Sequence, residues 1–213
     1  TLDPKSGKMF RSGHPVTGGS LGVESSPDGG AWQKVSNVLE PPVDFHAMTV
    51  SQADAATIYG WDSHSSKTLR SVDGGRSWQE LSLKGIGSAV FSFAAPATEG
   101  VILAGTPSGL FRSTDQGTSW TRISSIGDGY AVSVAADPSD ANHFLSFTER
   151  GMKVTRDGGA TWTPSLGGIP PTVAVTSLAI SPVDGQVAYA ADALTIFKTI
   201  DGGKTWTVVR SES

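Results

Sequence analysis

The chain has 213 residues with no cysteine, 26 glycines, 12 prolines and six tryptophans, and a formal net charge of −4. Without thiols it can build neither a disulfide framework nor a thiolate metal site. Its 16 Lys and Arg form no basic cluster, which argues against a nucleic-acid surface, and no apolar run approaches the roughly 20 residues of a membrane-spanning helix.

In chain order, Thr1-Leu2-Asp3-Pro4 reads as the tail of an inner strand. The same pattern returns at Ala135-Ala136-Asp137-Pro138 and Ala179-Ile180-Ser181-Pro182. Ser26-Pro27-Asp28-Gly29-Gly30-Ala31-Trp32 then introduces a phrase that recurs four more times. Its fuller copies begin at Ser71, Ser113, Thr155 and Thr199 and end at Trp78, Trp120, Trp162 and Trp206. The phrase aspartates are Asp28, Asp73, Asp115, Asp157 and Asp201, spaced by 45, 42, 42 and 44 residues. Between the phrases lie short β-rich runs. In the third repeat they are 89–96, 100–105, 109–113 and 120–123; in the fourth, 132–137, 143–147, 151–155 and 162–164; in the fifth, 177–181, 186–191, 195–199 and 206–209. No segment carries a 3.6-residue apolar period over helical length. Four short strands in each repeat predict an all-β fold of four-stranded antiparallel blades, a β-propeller. The repeats fall at about 1–40, 41–84, 85–126, 127–168 and 169–213 within a single domain, and the first blade is incomplete.

The phrase has a physical logic. Asp-Gly-Gly between β runs marks a hairpin, because glycine reaches positive φ without a Cβ clash. The aspartate can accept N–H bonds from its own turn, and the Ser or Thr two residues earlier can add a hydroxyl bond. The tryptophan offers a large apolar face to the outgoing strand. Gln116 replaces the first glycine of the third copy, so only the second glycine is expected to need left-handed geometry. The first copy is one residue short, which predicts an irregular turn and a displaced Trp32.

These phrases resemble the Asp-box, or BNR, repeat, Ser/Thr-x-Asp-x-Gly-x-Thr-Trp. That repeat occurs in sialidases, sortilin-type receptors, certain xyloglucan hydrolases and Ycf48-type photosystem assembly propellers. The resemblance covers essentially the whole chain. It implies a propeller whose boxes lie on the outer side, away from the channel. Phe10-Arg11-Ser12-Gly13-His14-Pro15, Leu21-Gly22-Val23 and Asp44-Phe45-His46-Ala47-Met48 further resemble a bacterial extracellular family labelled "glycosylhydrolase" or "exo-α-sialidase" by homology. The resemblance implies an extracytoplasmic or secreted protein. It also implies a further blade upstream, so that the chain would be either a piece of a longer protein or a ring that closes with an incomplete blade.

Three readings of function follow. A sialidase-like glycoside hydrolase needs three arginines that clamp a carboxylate, a Tyr nucleophile with a Glu partner, and an Asp acid/base. Arg70 and Arg112 recur in phase with the repeat and read as strand decoration. Tyr59 and Tyr189 read as blade core. Tyr130, at the entry of a first strand, is the one catalytic candidate. The second reading is a divalent or transition-metal site. His14, Asp44 and His46 interrupt the repeat, and two imidazoles with one carboxylate suit zinc, copper or iron. His14 falls at a second-strand end, and Asp44 and His46 at i and i+2 share one side of a strand. His64 and His143 read as surface turns. The alternative is that these imidazoles only pin irregular turns. The third reading is a non-catalytic module for a protein or glycan partner, with no confident cofactor. Trp61, outside the box series, either belongs to such a surface or packs between blades.

Overall fold

The computed structural model describes residues 1–87, 89–170 and 172–211. Among these, all regular structure is β except one 3-10 turn at Ser124–Ile126, and no helix is long and apolar enough to cross a membrane. Five antiparallel sheets follow one another along the chain. Blade 1 is β1 (Met9–Arg11), β2 (Val23–Ser26) and β3 (Gln33–Ser36), with Leu2 bridging Met9 in place of an inner strand. Blade 2 is β4 (Phe45–Val50), β5 (Ile58–Asp62), β6 (Lys67–Ser71) and β7 (Gln79–Leu81). Blade 3 is β8 (Ser92–Ala94), β9 (Ile102–Thr106), β10 (Gly109–Ser113) and β11 (Thr121–Arg122). Blade 4 is β12 (Ala131–Ala136), β13 (Phe144–Thr148), β14 (Gly151–Thr155) and β15 (Thr163–Pro164). Blade 5 is β16 (Ser177–Ile180), β17 (Ala188–Ala191), β18 (Thr195–Thr199) and β19 (Thr207–Ser211). The first strands surround a central channel of about 620 Å³, to which Thr1 and Leu2 contribute from blade 1.

Each strand is too short to bury its own faces, so burial happens between blades. Phe10 and Val23 of blade 1 pack on Phe45 and Ile58 of blade 2. Tyr59 and Leu81 meet Phe93 and Phe111 across the next junction. Leu103 and Leu110 meet Val134 and Phe144, and Leu145 and Val154 meet Ala188 and Phe197. Trp78, Trp120, Trp162 and Trp206 each turn toward the preceding blade and pack in these four junctions. Among the described residues no buried cluster joins blade 5 to blade 1. Tyr189 is therefore 42% exposed while Tyr59, its counterpart, is 2% exposed. The expectation that both are core fails for Tyr189 because none of the described blades packs over it. None of the described blades packs against Trp32 in the way of the other box tryptophans, and its indole lies under the Arg11 guanidinium, 4.3 Å away.

The recurring turn is a closed hydrogen-bond network. Ser71 Oγ donates to Asp73 Oδ1 at 2.8 Å and accepts the Gly75 N–H at 2.8 Å. Asp73 in turn accepts the Ser77 N–H at 2.9 Å and the Ser77 hydroxyl at 2.6 Å. Asp115, Asp157 and Asp201 repeat the pattern. The hydroxyl and N–H of Ser119, with the Ser113 hydroxyl, hold the Asp115 carboxyl down at about 2. Both central positions are left-handed, including Gln116 at φ 60°, so handedness does not single out the second glycine. Packing does: a Cβ on Gly117 would sit 2.7 Å from Leu81 of the preceding blade. The short first copy is irregular as expected. There Gly29, not Gly30, donates to the Ser26 hydroxyl, and Trp32 stands where the other copies place the second hydroxyl.

Candidate metal centre

The geometry of the site begins with a bulge. Strand β4 pairs Phe45 with Asp62 and Ala47 with Trp61, which leaves His46 as the extra residue. A bulge of this kind re-aims a side chain. Pairing also aligns Ala47, Ser92, Ser133 and Ser177, each opposite the fourth residue of its second strand. The column of His46 then holds Phe91, Val132 and Thr176, and the column of Asp44 holds Ala89, Tyr130 and Ala174. Blade 2 alone carries a carboxylate and an imidazole at these two places.

His14 arrives from blade 1. It does not end a strand, as its position in the repeat suggests; β1 stops at Arg11, and His14 lies in the loop beyond Gly13. The Ser12 hydroxyl accepts the Phe45 N–H at 3.0 Å and ties this loop to β4. Asp62 fixes the other side, accepting the Asp44 N–H at 3.0 Å and both the N–H and the hydroxyl of Ser65. Between these anchors Asp44 Oδ2 lies 2.7 Å from His14 Nδ1 and 3.2 Å from His46 Nε2. One donor atom from each of the three residues lies within 4.8 Å of the others. The Asp44 side chain is 10% exposed, and those of His14 and His46 are 63% and 53% exposed. The carboxylate is thus recessed under two accessible imidazoles, and His46 also lines the channel.

The other sequence candidates separate. Tyr130 lines a different cavity, of about 570 Å³, in the connection between blades 4 and 5. Glu149 and Arg150 line it too, and the Glu149 N–H donates to the Tyr130 carbonyl at 3.1 Å. The linear sequence hides this grouping, because Glu149 and Arg150 look like an ordinary β-hairpin tip. The arginines do not converge. Arg70 donates to Gln116 Oε1 at 2.7 Å and Arg112 to the Gly158 carbonyl at 3.2 Å, each reaching the turn of the next blade. Arg11 pairs with Glu24 at 2.7 Å. Trp61 packs between blades 2 and 3, not on a free surface.

His64 is exposed in the turn between β5 and β6. His143 is not a surface residue. It is fully buried, with Nδ1 2.8 Å from Asp137 Oδ2 and Nε2 3.3 Å from the Gly202 carbonyl. Repeat phase could have revealed this burial, because His143 occupies the column of Val101 and Val187 at the start of the second strand.

Neither a protein-family model nor a curated protein sequence matches the chain. Solved structures do. The chain is similar to an ancestral GH74 enzyme at 19% identity and a TM-score of 0.64, over 79% of this chain and 24% of that one. It is similar to the GH74 xyloglucanase from Xanthomonas campestris at 19% identity and a TM-score of 0.57, over 97% of this chain and 44% of that one. The chain thus spans less than half the length of these GH74 chains. YCF48 bound to D1 peptide is similar at 15% identity and a TM-score of 0.54, over 95% of this chain and 85% of that one. At such identities the likeness shows the fold alone: the chain is an all-β propeller of a kind found both in GH74 enzymes and in YCF48.

Proposed function

We propose that the chain is a non-catalytic binding propeller of the Asp-box, or BNR, type, working outside the cytoplasm and holding an extended segment of a protein partner at its central channel. The observation that carries this reading is the channel lining. It consists of Ala, Ser, Thr, Met, Val, Leu, Ile, Phe and Pro side chains with His46 and Gln52, and among the described residues it includes no carboxylate and no Lys or Arg. Glycoside hydrolysis of the two-carboxylate kind needs both groups across the scissile bond, and among the described residues this channel offers none. Gln52 Oε1 and Ser92 Oγ lack hydrogen-bond partners among the described residues, and both residues line the channel. A neighbour that binds a peptide supports the class of ligand. Export rests on the sequence resemblance.

An array of extended peptides tests the reading. The wild-type chain is expected to retain a subset that the channel variant Ala179→Arg loses, with no turnover of a fluorogenic sialoside or of xyloglucan. Turnover that Tyr130→Phe abolishes would instead establish a sialidase-like glycoside hydrolase. The observation favouring that second reading is the cavity that gathers Tyr130, Glu149 and Arg150. It supplies a nucleophile, a partner and one arginine, but no aspartate for the acid/base role.

A further inference from the structure

We propose that His14, Asp44 and His46 bind one first-row divalent metal ion, of the zinc or copper(II) class, beside the mouth of the central channel. The donor set is two imidazole nitrogens and one carboxylate oxygen, drawn from two blades. That set matches borderline metals. Magnesium and calcium take oxygen shells, and soft thiolate chemistry is closed to a chain without cysteine.

The distances are close to those of a bound ion. Zinc–ligand bonds of about 2.0–2.2 Å in a tetrahedron separate neighbouring ligand atoms by roughly 3.3–3.6 Å. The observed separations from Asp44 Oδ2 are 2.7 and 3.2 Å. Reaching that geometry opens the His14 contact by about 0.6–0.9 Å and the His46 contact by about 0.1–0.4 Å, through rotation of two exposed imidazoles over a fixed carboxylate. Both His14 Nδ1 and His46 Nε2 face the same oxygen, so one cation among them replaces two N–H···O contacts at once.

The arrangement is not a by-product of the repeat. The columns that hold Asp44 and His46 carry no titratable side chain in blades 3 to 5 except Tyr130. Bulge, loop and the Asp62 anchor act together to bring three ligating groups to one point. Three protein ligands leave a coordination position for an outside donor, as in open zinc sites. His46 places that position at the channel, so an oxygen or nitrogen donor arriving there would complete the shell.

The test uses tag-free protein stripped with a chelator. Calorimetric titrations with zinc chloride, copper sulfate and magnesium chloride are run separately. One equivalent of zinc or copper is expected to bind, and no magnesium. His14→Gln and His46→Gln should each weaken binding about tenfold or more. The copper spectrum should show coupling to two imidazole nitrogens, reduced to one in either variant. Uptake below about a tenth of an equivalent overturns the proposal, as does affinity unchanged in both variants, which would put the ion elsewhere. His14 lies in an exposed loop, so His14→Gln alone carries the test if the His46 variant fails to fold. Metal uptake is read without any peptide, so its outcome is independent of the peptide-binding reading.

Discussion

Replacing His143 by alanine tests whether a buried histidine–aspartate pair holds blades 4 and 5 together. Both partners of this imidazole are acceptors: Asp137 Oδ2 at Nδ1 and the Gly202 carbonyl at Nε2. The imidazole and the carboxylate lie together with almost no solvent access, across from the turn of blade 5. His143→Ala leaves Asp137 with only the N–H and hydroxyl of Ser139, and opens a gap beside the Gly202 carbonyl. Breaking a buried pair by removing one partner costs about 3–5 kcal/mol. For a chain of this size that is a fall in Tm of about 6–20 °C. Urea unfolding followed by tryptophan fluorescence measures it. The double variant Asp137→Ser/His143→Val copies the pair that blade 5 carries as Ser181 and Val187. It should recover roughly 1–3 kcal/mol relative to the sum of the single losses. A loss below about 1 kcal/mol in His143→Ala, or strict additivity in the double variant, would refute the reasoning for a coupled buried pair.

Two further outcomes follow from the junctions and turns. Tyr59→Ala should cost about 3–5 kcal/mol, whereas Tyr189→Ala, on an uncovered face, should stay within about 1 kcal/mol; parallel urea titrations compare them. The box carboxyls of Asp115 and Asp157 are held down at about 2 by neighbouring hydroxyls and backbone N–H groups. Because their folded values lie below the unfolded ones, the stability they contribute is complete above about pH 4 and is lost as pH falls toward 2. Carboxyl carbon shifts followed by NMR from pH 6 to 1.5 should show Asp115 and Asp157 titrating with midpoints of about 2. Midpoints near 4 would contradict the turn network.

Much of the fold was legible because the recurring turn marks each blade. Asp73, Asp115, Asp157 and Asp201 close the same network, so phrase spacing alone located the hairpins. Inter-blade position was harder to read. Tyr59 and Tyr189 have the same local sequence setting, and only the presence or absence of a neighbouring blade separates them. His143 shows the reverse: polar neighbours suggested a surface turn, although its column is apolar in blades 3 and 5. At the candidate metal centre, Asp44 and His46 stood out because they break the repeat. The bulge that aims His46 was hidden, since bulges depend on the partner strand. The grouping of Tyr130 with Glu149 and Arg150 was equally hidden, because it arises from pairing between β12 and β13.

The uncovered faces of blades 1 and 5 also determine how cooperativity is distributed. Among the described residues, blades 2, 3 and 4 are each clamped by two junctions, while blades 1 and 5 each share one buried cluster. Such a chain behaves as a linear array of coupled units, whose end units open at lower free energy than the interior. Amide protection should then be greatest in blade 3 and decline toward both edges. The channel wall inherits that gradient: its firmest arc belongs to blade 3, and its most compliant arc lies at the seam.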